Sequence, residues 1–192
     1  AVDLALLTKP RVVLMVLITT SIGYYLGSGA DLAWATLLHT LVGSALACAG
    51  ALALNQYIER DLDALMERTR MRPLPAGRLR PATALAFGLL FALGGLSYMA
   101  LGVNVLSAAV TALIIGLYLL VYTPLKLKTS LCSFPGAIAG ALPPATGWVA
   151  ARGEIGIEAV VLVAIMFIWQ LPHSLAIGLL YREDYARAGF HI

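Results

Sequence analysis

The chain predicts an all-α, polytopic transmembrane bundle of six spans, on three observations. Hydrophobic residues make up 60% of it and charged residues 12%, with a mean hydropathy of +0.88, far from the composition of a soluble globular protein. Six predominantly apolar stretches, about 12–28, 32–57, 82–101, 104–122, 131–150 and 157–180, suit the roughly 20 residues that cross a bilayer core. Alternating these spans also puts twelve of the thirteen basic residues on one side (Lys9, Arg11, Arg60, Arg68, Arg70, Arg72, Arg78, Arg80, Lys126, Lys128, Arg182 and Arg187), leaving Arg152 opposite. That side is expected to be cytoplasmic, because Lys and Arg are retained there.

The first span follows Lys9–Pro10–Arg11 and lacks a small-residue cleavage site near its end, so it reads as a retained helix rather than a signal peptide. In the second, Gly43, Ala47 and Gly50 mark a face where another helix approaches closely, as Gly136, Gly140 and Ala141 do in the fifth. Pro143–Pro144 predicts a helix break lining a cavity, and Pro172 disturbs the last span. Tyr24, Tyr25, Trp34 and Trp148 near span ends are expected to form an interfacial aromatic belt. Cys48 and Cys132 read as small apolar residues, and His39 as a satisfied helix–helix contact. The surroundings are lipid, and no nucleic-acid partner is expected.

Seven of the ten acids share the basic side: Asp3, Glu59, Asp61, Asp63, Glu67, Glu183 and Asp184. Carboxylates contribute little to membrane orientation, so this mixture marks a polar site. On a helix Asn55, Glu59 and Asp63 stack at i, i+4 and i+8, whereas Asp61 points to nearly the opposite side. Two carboxylates and an amide oxygen held together suit Mg²⁺, which takes oxygen ligands and shares phosphate oxygens. Arg68, Arg72, Lys126 and Lys128 lie in the same layer and could grip a diphosphate by bidentate forks and point charges. No Walker-type glycine run is present, so the site is read as one for an amphiphile.

The stretch from Asn55 to Pro73, Asn-x-x-x-Glu-Arg-Asp-x-Asp-Ala-x-Met-x-Arg-Thr-x-x-Arg-Pro, resembles the first signature of the UbiA superfamily of intramembrane prenyltransferases. Further agreement lies at Leu7–Arg11, Tyr122–Thr129, Pro143–Trp148, Trp169–His173, Asp184–Tyr185 and Ala188–Gly189, of which Trp169–His173 and Asp184–Gly189 favour the haem-modifying branch. The resemblance implies that farnesyl diphosphate alkylates a vinyl group of haem B to give haem O, with Mg²⁺ on Asn55, Glu59 and Asp63 and on Asp184 with Glu183. It also implies a bacterial cytoplasmic (inner) membrane protein, with a haem-modifying enzyme or oxidase assembly factor downstream. Tyr122 and Trp169 are candidates to steady the allylic cation and, with His173, to contact the haem. His173 keeps two readings: an imidazole bonded to a carbonyl freed by Pro172, or a contact to the porphyrin.

Gln56 stands where the superfamily usually has an acid, and Ser174 where the branch commonly has Phe. Nine spans are typical of the superfamily, so residues 1–192 are expected to be a single prenyltransferase domain lacking its C-terminal helices. Two other activities fit the residues: prenylation of a quinone precursor, and cation transport through the buried charges. Transport fits less well, because the acids cluster at one interface rather than at the midplane.

Overall fold

The computed structural model describes residues 2–191, which are helical throughout with no strand among them. The helices are α1 (Val2–Leu7), α2 (Pro10–Ser28), α3 (Trp34–Asp63), α4 (Pro81–Gly102) and α5 (Val105–Gly116). A π-helical segment, Leu117–Tyr122, carries α5 into α6 (Thr123–Leu125), and a 3₁₀ turn, Ser130–Cys132, leads to α7 (Ser133–Ala141). Then come α8 (Pro143–Arg152), α9 (Ile157–Leu180) and α10 (Arg182–Arg187).

Five of the expected spans are helices long and apolar enough to cross a membrane: α2, α3, α4, Val105–Leu125 and α9. The sixth stretch is instead divided into α7 and α8, each too short to cross alone. Pro143 and Pro144 lack the N–H groups that would bond the carbonyls of Ala139 and Gly140, so the ladder stops there. Gln170 of α9 fills part of the gap, donating its Nε2 to the Gly140 carbonyl at 3.2 Å. The break packs against α2 and is not in the wall of the cavity at the charged end: a Cβ built on Gly23 would stand 1.9 Å from the Pro144 oxygen. Across the same seam a Cβ on Gly147 would meet the Thr20 oxygen at 1.9 Å. Between α3 and α4, Cβ atoms on Gly50 and Gly95 would lie 2.2 and 2.4 Å from the backbone nitrogens of Ala92 and Ala47. Small residues therefore bring backbones together, while large ones such as Leu90, Leu120 and Ile168 face outward, the arrangement of a bundle solvated by lipid.

At the end opposite the charges, Tyr24 Oη donates to the Ala33 carbonyl at 2.9 Å and Asn104 Nδ2 to that of Val149 at 3.1 Å. Tyr25 and Trp34 are exposed there, as a belt requires, but Tyr24 and Trp148 are buried core residues. His39 is satisfied by Tyr98 Oη at 2.7 Å. At the charged end Asp3 pairs with Arg78 at 3.0 Å, and the His191 amide donates to the Lys126 carbonyl at 2.8 Å. The chain termini and the 64–80 segment thus meet over the ends of α3 and α6.

Candidate active site

A cavity of about 170 Å³ opens at the charged end. The last three turns of α3 supply Asn55, Glu59 and Asp63 to its wall, as their spacing predicts. All three are nearly inaccessible, at 1%, 5% and 1% exposure. Lys126 Nζ meets Glu59 Oε1 at 2.6 Å, and Arg72 Nη1 meets Asp63 Oδ2 at 2.6 Å. The Thr69 hydroxyl holds the Asp63 carbonyl at 2.8 Å, fixing the turn that returns Arg72 to α3. Asp63 Oδ1 is buried without a partner, a costly arrangement unless a ligand completes it.

Four cations line this cavity, Lys9, Arg68, Arg72 and Lys126, against two carboxylates, Glu59 and Asp63, which leaves an excess of two positive charges. Arg68 lies over the Tyr181 ring at 4.7 Å, and neither it nor Lys9 has a carboxylate within 4.0 Å among the described residues. Burial pulls the Lys9 ammonium down to about 8, and the charge of Arg72 adds to the effect. Two cations without a carboxylate partner, Lys9 half-buried and Arg68 exposed at the rim, make the cavity electrostatically suited to an anion.

Lys9 was legible in the sequence only as a topological charge. It sits at the α1–α2 corner with φ 45° and ψ 68°, the only left-handed non-glycine backbone among the described residues. Gln56 sets that corner: its Nε2 donates to the Leu7 carbonyl at 2.8 Å and reaches that of Leu6 at 3.5 Å. A carboxylate could not donate there, so Gln56 is a backbone clamp rather than a substitute ligand. Tyr118 was also missed, although Tyr118, Tyr122 and Lys126 repeat the i, i+4, i+8 spacing of the α3 face. Lys126 Nζ lies over the Tyr122 ring at 4.6 Å, and Tyr185, Phe190 and the buried Met66 close the wall.

Other expected residues lie elsewhere. Asp184 is not in the cavity wall. Its Oδ1 and Oδ2 accept the backbone amides of Glu67 and Arg68 at 3.0 and 3.2 Å, and Arg187 pairs with Oδ1. That pairing and the amides hold its carboxyl below the usual carboxylate range. Glu183 is exposed beside Glu67 and Arg182 in a separate, open depression, and Lys128 is exposed. The structure thus does not bring Glu183 and Asp184 into the wall that holds the α3 acids: Asp184 is bonded to loop amides that helical spacing could not reveal. Trp169 and His173 stack with ring centroids 4.8 Å apart on the exposed face of α9, outside the cavity. His173 makes no hydrogen bond among the described residues, so it does not take the carbonyl freed by Pro172.

The donor set fits Mg²⁺. No three His, Cys, Asp or Glu side chains converge among the described residues, which disfavours a closed protein cage. Mg²⁺ is commonly bound by one or two carboxylates together with substrate phosphates and water, and the orphaned Asp63 oxygen beside Glu59 and Asn55 offers that.

A lipid-solvated helical bundle with a cationic cavity lined by carboxylate and amide oxygens at one end defines a membrane protein suited to hold an anion. The chain belongs to the UbiA prenyltransferase family, whose model matches residues 16–192. It is 45% identical to the protoheme IX farnesyltransferase of Solibacter usitatus, over 97% of this chain and 67% of that protein. It is 46% identical to the protoheme IX farnesyltransferase of Myxococcus xanthus, over 98% and 64%. The fold resembles a digeranylgeranylglyceryl phosphate synthase (TM-score 0.82, 17% identity, 98% of this chain and 66% of that one). It also resembles a UbiA homolog from Archaeoglobus fulgidus bound to DMAPP and Mg²⁺ (TM-score 0.78, 18% identity, 97% and 66%). The chain spans about two thirds of the length of these relatives.

Proposed function

We propose that the protein transfers a farnesyl group from farnesyl diphosphate to a vinyl group of haem B, forming haem O in a bacterial cytoplasmic membrane. The observation that carries the chemistry is the excess of two positive charges in the cavity wall around the buried, unsatisfied Asp63 carboxylate. The relatives named protoheme IX farnesyltransferase support the choice of prenyl donor and acceptor. The segregation of basic residues supports a site on the cytoplasmic side.

Lys9, Arg68, Arg72 and Lys126 hold the diphosphate oxygens and stabilise the charge that develops as the carbon–oxygen bond opens. Asn55, Glu59 and Asp63 would hold Mg²⁺, which neutralises the departing diphosphate. The rings of Tyr118 and Tyr122 face the allylic cation and shield it until the terminal vinyl carbon attacks; the cation this leaves on the adjacent carbon is then captured by a water molecule, which becomes the hydroxyl and releases a proton. Lys126 and Arg72 approach their carboxylates from within the cavity, so binding of a diphosphate redistributes cations that the acids already hold in place.

Membranes containing the protein, supplied with Mg²⁺, haem B and farnesyl diphosphate, should yield a product with the mass of haem O. A prenylated quinone precursor formed in preference to haem O would overturn the assignment. The Trp169–His173 stack is proposed as the porphyrin contact, since it presents two parallel rings on an open face of α9. Haem titration of purified His173→Ala, read at the Soret band, should show weakened haem binding with prenyl-diphosphate affinity unchanged.

A further inference from the structure

Asn55 sits in the cavity wall with two chemically opposite ends, an oxygen that can bind a cation and an NH₂ that repels one. Its Nδ2 lies 3.2 Å from Thr123 Oγ1, and both residues are buried, at 1% and 3% exposure. Thr123 Oγ1 in turn donates to the Tyr118 carbonyl at 2.8 Å. A hydroxyl has one proton, and here Tyr118 takes it, so toward Asn55 the oxygen can only accept. The amide must therefore turn its NH₂ to Thr123 and leave Oδ1 free, and Oδ1 accepts no hydrogen bond from any described residue.

The π-helical segment Leu117–Tyr122 makes this possible. Its wider register gives the Tyr118 carbonyl to the backbone N–H of Thr123, five residues on, instead of to Tyr122. Backbone and side chain of Thr123 thus converge on one carbonyl, and the hydroxyl is fixed against α3. Single-turn π segments inside α-helices recur where a side chain must be re-aimed at a functional site.

We infer that Thr123 is a positioning residue that locks the Asn55 amide with its oxygen toward the divalent cation. The inference rests on the reading of Asn55 as a Mg²⁺ ligand, and the experiment separates the two. Mn²⁺ serves as the probe, with its binding to the detergent-purified protein in inorganic diphosphate followed by electron paramagnetic resonance. Thr123→Val, which keeps the shape and removes the hydroxyl, should weaken Mn²⁺ binding by about 10–100-fold, the usual effect of losing an outer partner of a metal ligand. Thr123→Ser should stay within about threefold of the parent, because it keeps the donor and acceptor. In an Asn55→Asp background both ends of the side chain are oxygens, so adding Thr123→Val should cost almost nothing. Helicity by circular dichroism checks each variant, and Thr123→Ala repeats the hydroxyl deletion if Val strains the turn. Unchanged Mn²⁺ affinity in both deletions, with loss in Asn55→Ala, would overturn the positioning role. Unchanged affinity in Asn55→Ala would overturn the ligand reading itself, and with it the inference.

Discussion

The two acidic segments of this chain look alike in sequence and do different work. Asn55, Glu59 and Asp63 lie on one helix, point into one cavity and meet Lys126 and Arg72 at 2.6 Å. Asp184 instead fastens the 64–80 segment by accepting two of its backbone amides, and Glu183 faces outward. The first segment lines the cavity and the second holds the loop that carries its counter-charges Arg68 and Arg72. The difference shows that a carboxylate near a site is defined by what its oxygens already bind.

The sharpest test of this contrast is Asp63→Asn. It removes the charge of the orphaned cavity oxygen, and turnover should fall at least about 100-fold, since even outer partners of metal ligands are worth 10–100-fold. Expression and helicity should persist. Its neighbour Asp61 is exposed and pairs with Arg60 at 3.4 Å, so Asp61→Asn should change turnover by less than about threefold. Equal losses in the two variants would erase the one-face model of α3.

Asp184→Asn should have an intermediate effect of a different kind. Amide exchange at Glu67 and Arg68 should rise as the tether weakens, while the cation affinity of the α3 acids stays near that of the parent. Loss of cation binding without faster exchange would return Asp184 to the ligand set. The smallest effect is expected from Lys128→Ala, which should leave diphosphate affinity within about twofold because that ammonium is exposed. Lys126→Met, by contrast, should weaken binding strongly, because it removes a cavity cation and strands Glu59.

The sequence disclosed what depends on local periodicity. Five of the six apolar stretches became helices long enough to cross a membrane, the other being broken at Pro143–Pro144, and the spacing of Asn55, Glu59 and Asp63 placed three wall residues. Family resemblance supplied the chemistry that spacing alone left open. What stayed hidden depends on how helices pack. Lys9 reaches the cavity only because Gln56 holds the α1–α2 corner in a left-handed turn. Tyr118 shares the i, i+4, i+8 spacing of Tyr122 and Lys126, but the π register in which it sits has no sequence signal. Tyr24 and Trp148 are core rather than belt because the Gly23–Pro144 and Gly147–Thr20 contacts draw α2 and α8 together around them.

The Asp184 tether also sets a timetable. Its carboxylate lies 117 residues downstream of the Glu67 amide it holds, and synthesis proceeds at about 5–20 residues per second. For roughly 6–23 s after Glu67 is made, that carboxylate does not yet exist. Lys126, the partner of Glu59, also arrives later, 67 residues after that acid. The newborn chain thus holds its α3 acids before it holds Lys126 and the Asp184 clasp.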